Sequence, residues 1–343
     1  MSKSLLKYFY SKISKFFTIC IIKLRNGPSF YNNYRPPGYM NLQKKELSNV
    51  KLKNCWITNL DMSGSDLHLS NFSNSIAWNA ILIDVNLMNA QLLNADFRNV
   101  KLMNANLSGA ILKGIDLSYA DLTNASLKSC DLTGANLEGT TFAGANLSGA
   151  KLSDSNLRGA NLNNANLRGS FLIEADLTDA KLIGADLSDS NLMHVNLIDA
   201  DLSNAILTGV NLSYSKIACA NFSKASLNNA IIAESNLTGA ILTNTNLNGS
   251  AFCESRLFGS DLNEANLTNA DLRKVDLRNA NLQNTILNNT YFSFTKIDHK
   301  NWHQIFSTSN SNNEKGNYRI IEHEGAKENF EYYFMFTDDR LFK

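Results

Sequence analysis

Charge is scarce in this chain. Asp, Glu, Lys and Arg make up 18% of 343 residues, and 32 bases against 31 acids leave a net charge of +1. That balance excludes a generally basic nucleic-acid binder and a strongly acidic mimic. Proline is rarer still, with 3 residues, all between Pro28 and Pro37. Five cysteines and five histidines are scattered, with no CxxC or HExxH spacing, so a zinc site and a disulfide framework are both excluded, and a reducing compartment is expected. No apolar run approaches the roughly 18 residues needed to span a membrane. The composition is nevertheless too apolar, at 44%, for a disordered chain. Length alone suggests two ordinary domains or one large one.

What the chain has in abundance is Leu, Asn, Ala and Ser, and these recur every five residues. Reading every fifth position from Leu42 to Ile297 gives 52 sites, of which 51 hold Leu, Ile, Met or Phe; the exception is Ala77. Two residues earlier, from Met40 to Thr295, 42 of 52 sites hold Ala, Ser, Thr or Cys. Asn or Asp mostly stands between them, as in Ala105-Asn106-Leu107-Ser108-Gly109.

A period of five suits neither regular element. On an α-helix five residues turn about 140°, which spreads the leucines around the cylinder. On a straight strand, positions five apart face opposite sides. Within one unit the small residue and the Leu are two apart, so a short extended stretch points both the same way. A turn must follow, and the Gly or Asn at the last position accepts the positive φ of a type II turn. One corner per five residues gives four sides per twenty, hence a square coil with Leu and Ala inside. About 13 such coils, stacked at about 4.8 Å, would form a column on the order of 60 Å long. Polar residues twenty apart, such as Asn136 and Asn156, would form ladders.

On Asp131-Leu132-Thr133-Gly134-Ala135-Asn136-Leu137-Glu138-Gly139 and Ala145-Asn146-Leu147-Ser148-Gly149, the chain resembles the pentapeptide-repeat proteins. The resemblance covers about three quarters of the chain. It implies an all-β fold, a right-handed quadrilateral parallel β-helix. The family includes gyrase-protecting DNA mimics, effectors delivered into host cells and members with no known role, so fold alone does not choose the function.

The organisation expected is a basic amphipathic helix over 1–25, a linker over 26–40, the repeat over 41–297, and a cap and tail over 298–343. Residues 1–40 carry +7, and the first acid is Glu46. On a helical wheel Leu6, Phe9, Ile13, Phe16, Phe17, Cys20 and Leu24 gather on one side, with Lys3, Lys7, Ser11, Lys15, Thr18 and Arg25 opposite. Lys3, Lys7, Phe9, Ile13, Lys15, Phe16 and Phe17 are therefore the candidate contacts to a membrane surface. A helix that caps the first coil or packs on a partner has the same pattern. A signal peptide is a third reading, opposed by Lys23 and Arg25 and by the lack of a small-x-small cleavage site. After Ile297, Trp302 and Phe306 are expected to close the open end. Residues 307–318 read as flexible. Asn329–Phe336 reads as a strand or helix docked on the cap, or as a segment that forms a homodimer through the C-terminal end.

The search for chemistry returns little. His299 and His303 are four apart but lack a third ligand. Cys55 and Cys130 occupy inward small-residue positions, whereas Cys219 and Cys253 fall at turns. Catalytic carboxylates need a concave pocket, which a filled square column does not offer. No catalytic, cofactor-binding or metal-binding residue is assigned, and the chain is read as non-enzymatic.

The walls offer two candidate partner sites. From Phe171 to Ala205 an acidic belt holds Glu174, Asp176, Asp179, Asp186, Asp189, Asp199 and Asp201 against Lys181 alone. Phe171, Ile173 and Met193 head an exposed apolar set on one wall, with Ile173 and Met193 directly stacked. The repeat from 42 to 297 carries 23 acids and 19 bases, spread over the four walls, so a duplex-like acidic field is lacking. The expectation is a protein-protein interaction scaffold, bacterial, cytoplasmic or peripheral at the membrane, or delivered into a host cell, with no direct nucleic-acid binding. The alternative is a DNA-mimicking, topoisomerase (gyrase)-protecting protein.

Overall fold

The computed structural model describes residues 40–298, 301, 318–322 and 332–336. The expected basic helix, the linker up to Tyr39, and His299, Trp302, His303, Phe306 and 307–317 lie outside the described residues, and Met40, the last linker residue, belongs to a strand. Two compact units are present, within 1–166 and 167–343, and each is built the same way.

One repeat unit of the first shows the construction. Asn106 pairs in parallel with Asn86 and Ser126, twenty residues away on either side. Its N–H donates back to Val85 O at 2.9 Å, and Leu107 N–H donates forward to Ser126 O at 2.7 Å. Gly109 N–H donates to Lys128 O at 2.9 Å, and Ala110 N–H closes the turn on Leu107 O at 3.0 Å. Four of five N–H groups are thereby used. The fifth, on Ser108, donates to Asn106 Oδ1 at 3.1 Å. Asx at the bridging position therefore supplies the one acceptor that the backbone ladder does not, and this explains its frequency.

The same pattern recurs at five-residue steps: Glu46, Lys51, Trp56 and Asp61 each bridge to the residue twenty further on, giving four sides per coil. The contact one step before these extends into two short strands, β1 (Met40–Asn41) and β2 (Leu60–Asp61), paired in parallel. No helix occurs between Met40 and Asp298. Every corner residue has φ between 51° and 69°, whether Asn94 or Gly209. Glycine is required at one of these for a second reason. Tyr119 lies over Gly139, where an added Cβ would sit 2.7 Å from the ring.

The interior is Leu, Phe and small residues. Phe72 and Phe97 meet edge to face at 6.0 Å, and both are fully buried. Cys55 and Cys130 are buried in the core, as their inward positions require, and burial pushes the Cys130 thiol far up. Each buried Leu contributes about 2 kcal/mol before entropy. In the second unit, inward serines do more than fill space. Ser235 Oγ donates to Leu212 O at 2.7 Å and accepts Ser215 N–H at 3.0 Å, so the hydroxyl is inserted into the turn of the preceding coil. Ser255 repeats this on Ser235, donating to Ile232 O at 2.5 Å and accepting Ser235 N–H at 3.0 Å.

The repeat ends in β3 (Thr295–Ile297), which extends the parallel pairing of Lys296 with Asp276. The far edge of β3 pairs antiparallel with β5 (Tyr332–Phe336), and β5 pairs antiparallel with β4 (Tyr318–Glu322), in the order β3-β5-β4. The aromatic stretch ending at Phe336 is thus a strand joined to the last coil. Asn301 closes a second side, its Nδ2–H donating to Ala280 O at 2.7 Å.

Candidate functional site

The outward side chains of the coils are set by the ladder. The bridging residue and the first turn residue lie along the wall, and the positive-φ residue marks the corner.

The ladders expected from twenty-residue spacing are present. In the first unit Asn156 donates to Asn136 Oδ1 at 3.2 Å, and Asn136 donates to Asp116 Oδ1 at 3.2 Å. Aspartates at bridging positions are drawn into the turns. Partial burial works to raise the Asp131 carboxyl, but hydrogen bonds from the Thr133 hydroxyl and N–H outweigh it and hold it below the usual range. Asp66 behaves likewise, with His68 Nδ1 2.7 Å from its Oδ1. A shallow depression is lined by Trp78, Asn79, Arg98 and Asn99. Its one charged group is engaged: the Arg98 guanidinium lies 4.7 Å over the Trp78 ring and pairs with Asp96 at 2.8 Å.

In the second unit, the acidic belt divides into two kinds of residue. Asp176, Asp186 and Asp201 occupy bridging positions, where they accept the N–H groups of Thr178, Ser188 and Ser203 at 2.9–3.0 Å. Glu174, Asp179, Asp189 and Asp199 stand exposed at corners with φ of 58° or 59°. Asp189 pairs with Arg168 at 3.1 Å. Because positions twenty apart stack, these corners belong to three different edges: Asp179 and Asp199 share one, while Glu174 and Asp189 have one each.

The apolar candidates do share a wall. Phe171 is 47% exposed, Ile173 and Met193 are half-buried, and Ile231 is 47% exposed three coils beyond Phe171. Ile173 and Met193 occupy equivalent positions on consecutive coils, joined by the Glu174 N–H bond to Met193 O at 3.1 Å. The edge of this wall carries an unforeseen side-chain ladder. His194 stacks on Tyr214 with ring centroids 5.0 Å apart. The Tyr214 hydroxyl bonds to Glu234, which raises its pKa. Lys274 Nζ is 2.7 Å from Glu254 Oε1. Residues 174, 194, 214, 234, 254 and 274 are spaced by twenty, which is the signal that would have revealed them.

Among the described residues there is no His, Cys, Asp and Glu group able to hold a metal ion. No helix among them is long and apolar enough to cross a membrane. The membrane candidates from Lys3 to Phe17 lie outside the described residues.

The family model described as pentapeptide repeats matches in overlapping stretches from 65–102 to 255–293. No curated protein matches the chain. Among solved structures, HetL of the cyanobacterium Nostoc sp. strain PCC 7120, a pentapeptide repeat protein involved in heterocyst differentiation regulation, is 32% identical over 77% of this chain and 91% of its own (TM-score 0.24). Rfr23 from the cyanobacterium Cyanothece 51142 is 34% identical over 27% of this chain and 65% of its own (TM-score 0.27). A structure of QnrB1, a plasmid-mediated fluoroquinolone resistance protein, is 21% identical over 68% of this chain and 95% of its own (TM-score 0.33). With the repeat model spanning most of the sequence, the chain belongs to the pentapeptide-repeat family, whose fold is the right-handed quadrilateral β-helix.

Proposed function

We propose that the chain is a non-enzymatic scaffold whose β-helix walls bind protein partners and whose basic N-terminal segment attaches it to a membrane surface. The observation that carries the reading is the exposure of Phe171 and Ile231 on one wall of the second unit. Both stand at bridging positions, where Asx would satisfy a backbone N–H. Large apolar residues there forgo that bond and present contact surface instead. Family membership agrees, since pentapeptide-repeat proteins are generally non-catalytic. The position of β4 at the open edge of the C-terminal sheet supports homodimer formation by strand pairing. The pattern of lysines and aromatics between Lys3 and Phe17 supports a membrane-peripheral location. The distribution of the acids speaks against a gyrase-directed DNA mimic, because the belt divides among different edges and three of its aspartates serve the turns.

Liposome co-sedimentation of the full chain tests the membrane part. With anionic vesicles, Lys3→Glu, Lys7→Glu and Lys15→Glu together should reduce binding at least tenfold. Equal binding by the variant and the parent chain would sink it.

A further inference from the structure

One strip of the first unit combines exposed aromatic rings with unpaired amides. Its positions stack on three consecutive coils, through the bridges of Ile76 with Asp96 and of Asp96 with Asp116. Trp78 opens the strip, exposed beside the shallow depression that it lines with Asn79, Arg98 and Asn99. Tyr119, also exposed, closes it two coils further on. Two coils extend about 10 Å along the stacking direction. Both rings are held in place. The Arg98 guanidinium lies 4.7 Å over the indole. Tyr119 rests over Gly139, and its hydroxyl donates to Glu138 Oε1 at 3.3 Å.

The polar groups between the rings are of two kinds. The charged ones are engaged with the wall itself. Arg98 pairs with Asp96 at 2.8 Å and lies 3.9 Å from Asp116, which accepts the Ser118 N–H at 3.0 Å. The amides are not engaged. At other corners of this unit stacked side chains bond to each other, Asn74 donating to Asn54 at 3.3 Å and Asn104 to Asp84 at 3.0 Å. Asn79 and Asn99 are stacked in the same way, yet neither makes a side-chain hydrogen bond among the described residues. Each keeps a carbonyl acceptor and an NH2 donor for a ligand.

These groups define the ligand. Aromatic rings suit the C–H face of a pyranose. Amides that both donate and accept suit hydroxyls, which do the same. With its charges already paired, the strip complements a neutral partner. In an extended β-1,4-linked glycan each ring is turned over relative to its neighbour. Rings n and n+2 therefore show the same face, and their separation is close to that of two coils. We infer that the strip from Trp78 to Tyr119 binds a neutral β-1,4-linked glycan lying along the stacking direction. One ring packs on Trp78, the ring two further on packs on Tyr119, and Asn79 and Asn99 bond hydroxyls of the first two rings.

Titration calorimetry of the full chain with cellohexaose and chitohexaose tests the inference, and the hexaose that binds identifies the sugar. The matching trisaccharide should bind within about threefold of the hexaose. The disaccharide should bind at least tenfold more weakly, because it cannot reach both rings. Maltohexaose, an α-linked chain that curves, should also bind at least tenfold more weakly. Trp78→Ala and Tyr119→Ala should each weaken binding at least tenfold, while Tyr291→Ala, which removes an exposed ring of the second unit, should leave it unchanged. Asn99→Ala removes no ring and should weaken binding about threefold, which keeps the test in hand if Trp78→Ala fails to fold. No binding of either hexaose at millimolar concentration overturns the inference. So does equal affinity for maltohexaose, or binding that survives Trp78→Ala with Tyr119→Ala.

Discussion

Two walls of the second unit share one backbone and differ in what their side chains do. On one, from Ile206 to Asn289, no residue is charged and asparagine dominates. Asn246 and Asn266 accept the N–H groups of Asn248 and Thr268 at 3.3 and 3.1 Å. Asn269 and Asn289 link successive coils, donating to Asn248 at 3.4 Å and to Asn269 at 3.3 Å. On the other, Phe171 and Ile231 offer no acceptor to the turn that follows them. The asparagines of the first wall bond within their own structure, while Ile206 and Ile286 at its two ends are exposed at 44% and 46%. On the second, Asn191 and Asn211 follow the same rule, and Phe171 and Ile231 are left for contact. Recognition in this fold is therefore marked by departure from the Asx rule more than by charge: three of the six belt aspartates obey that rule and are engaged in turns.

The largest effect should be one that both walls share. Leu212 lies behind the apolar wall and Leu247 behind the asparagine wall, and both are fully buried. Leu212→Ala and Leu247→Ala should each lower stability by about 3 kcal/mol, since neither cavity can collapse against a stacked ladder. Urea unfolding checks this. A difference between the two above about 1 kcal/mol would show that the walls are not equivalent beneath their surfaces.

A smaller effect should separate the walls by pH. Partial burial works to raise Asp271 and Asp276, but hydrogen bonds from Arg273 and Arg278, by side chain and backbone N–H, prevail and lower both. A carboxylate whose folded pKa lies below its ordinary 3.8 stabilises the fold above that value. That contribution disappears as the pH falls through the lowered folded value. The melting temperature should hold between pH 7 and 5 and decline below about 4, near the unfolded-state value. Asp271→Asn, in the column of Phe171 and Ile231, should decline less steeply, whereas an Asn246→Ser change on the uncharged wall should leave the slope unaltered. Circular dichroism melts at pH 7, 5 and 3 decide between these outcomes.

The five-residue period made much of the fold legible. Leu at every fifth position and a residue tolerant of positive φ two places later suffice to derive four sides per coil. The period is also a strict test, because one inserted residue would turn Leu outward. What stayed hidden were relations between coils that depend on side-chain direction. Ser215, Ser235 and Ser255 read as small core residues, yet the hydroxyls of Ser235 and Ser255 bridge turns in the coil before. His194, Tyr214 and Glu234 sit twenty apart and can be found by that spacing, but only geometry shows the ring stack and the hydrogen bond. The acids read as one belt because they are close in sequence. A square coil sends residues five apart to adjacent sides, so proximity in sequence is a poor guide to a shared face.

The sharpest way to test the contrast between the walls is to exchange their rules on the same wall. Asn211 accepts Ser213 N–H at 3.0 Å and the Ser213 hydroxyl at 2.8 Å, and Ser213 is 6% exposed. Asn211→Ile should therefore destabilise by about 1 kcal/mol, because water reaches the orphaned N–H poorly. Ile231→Asn makes the opposite change one coil later, giving Ala233 N–H an acceptor in place of an exposed apolar side chain. It should stabilise by up to about 1 kcal/mol. It should also weaken any partner that uses this wall. If Ile231→Asn instead lost stability while partner affinity held, Ile231 would be a structural residue, and the distinction between a wall that binds itself and a wall that binds others would fall.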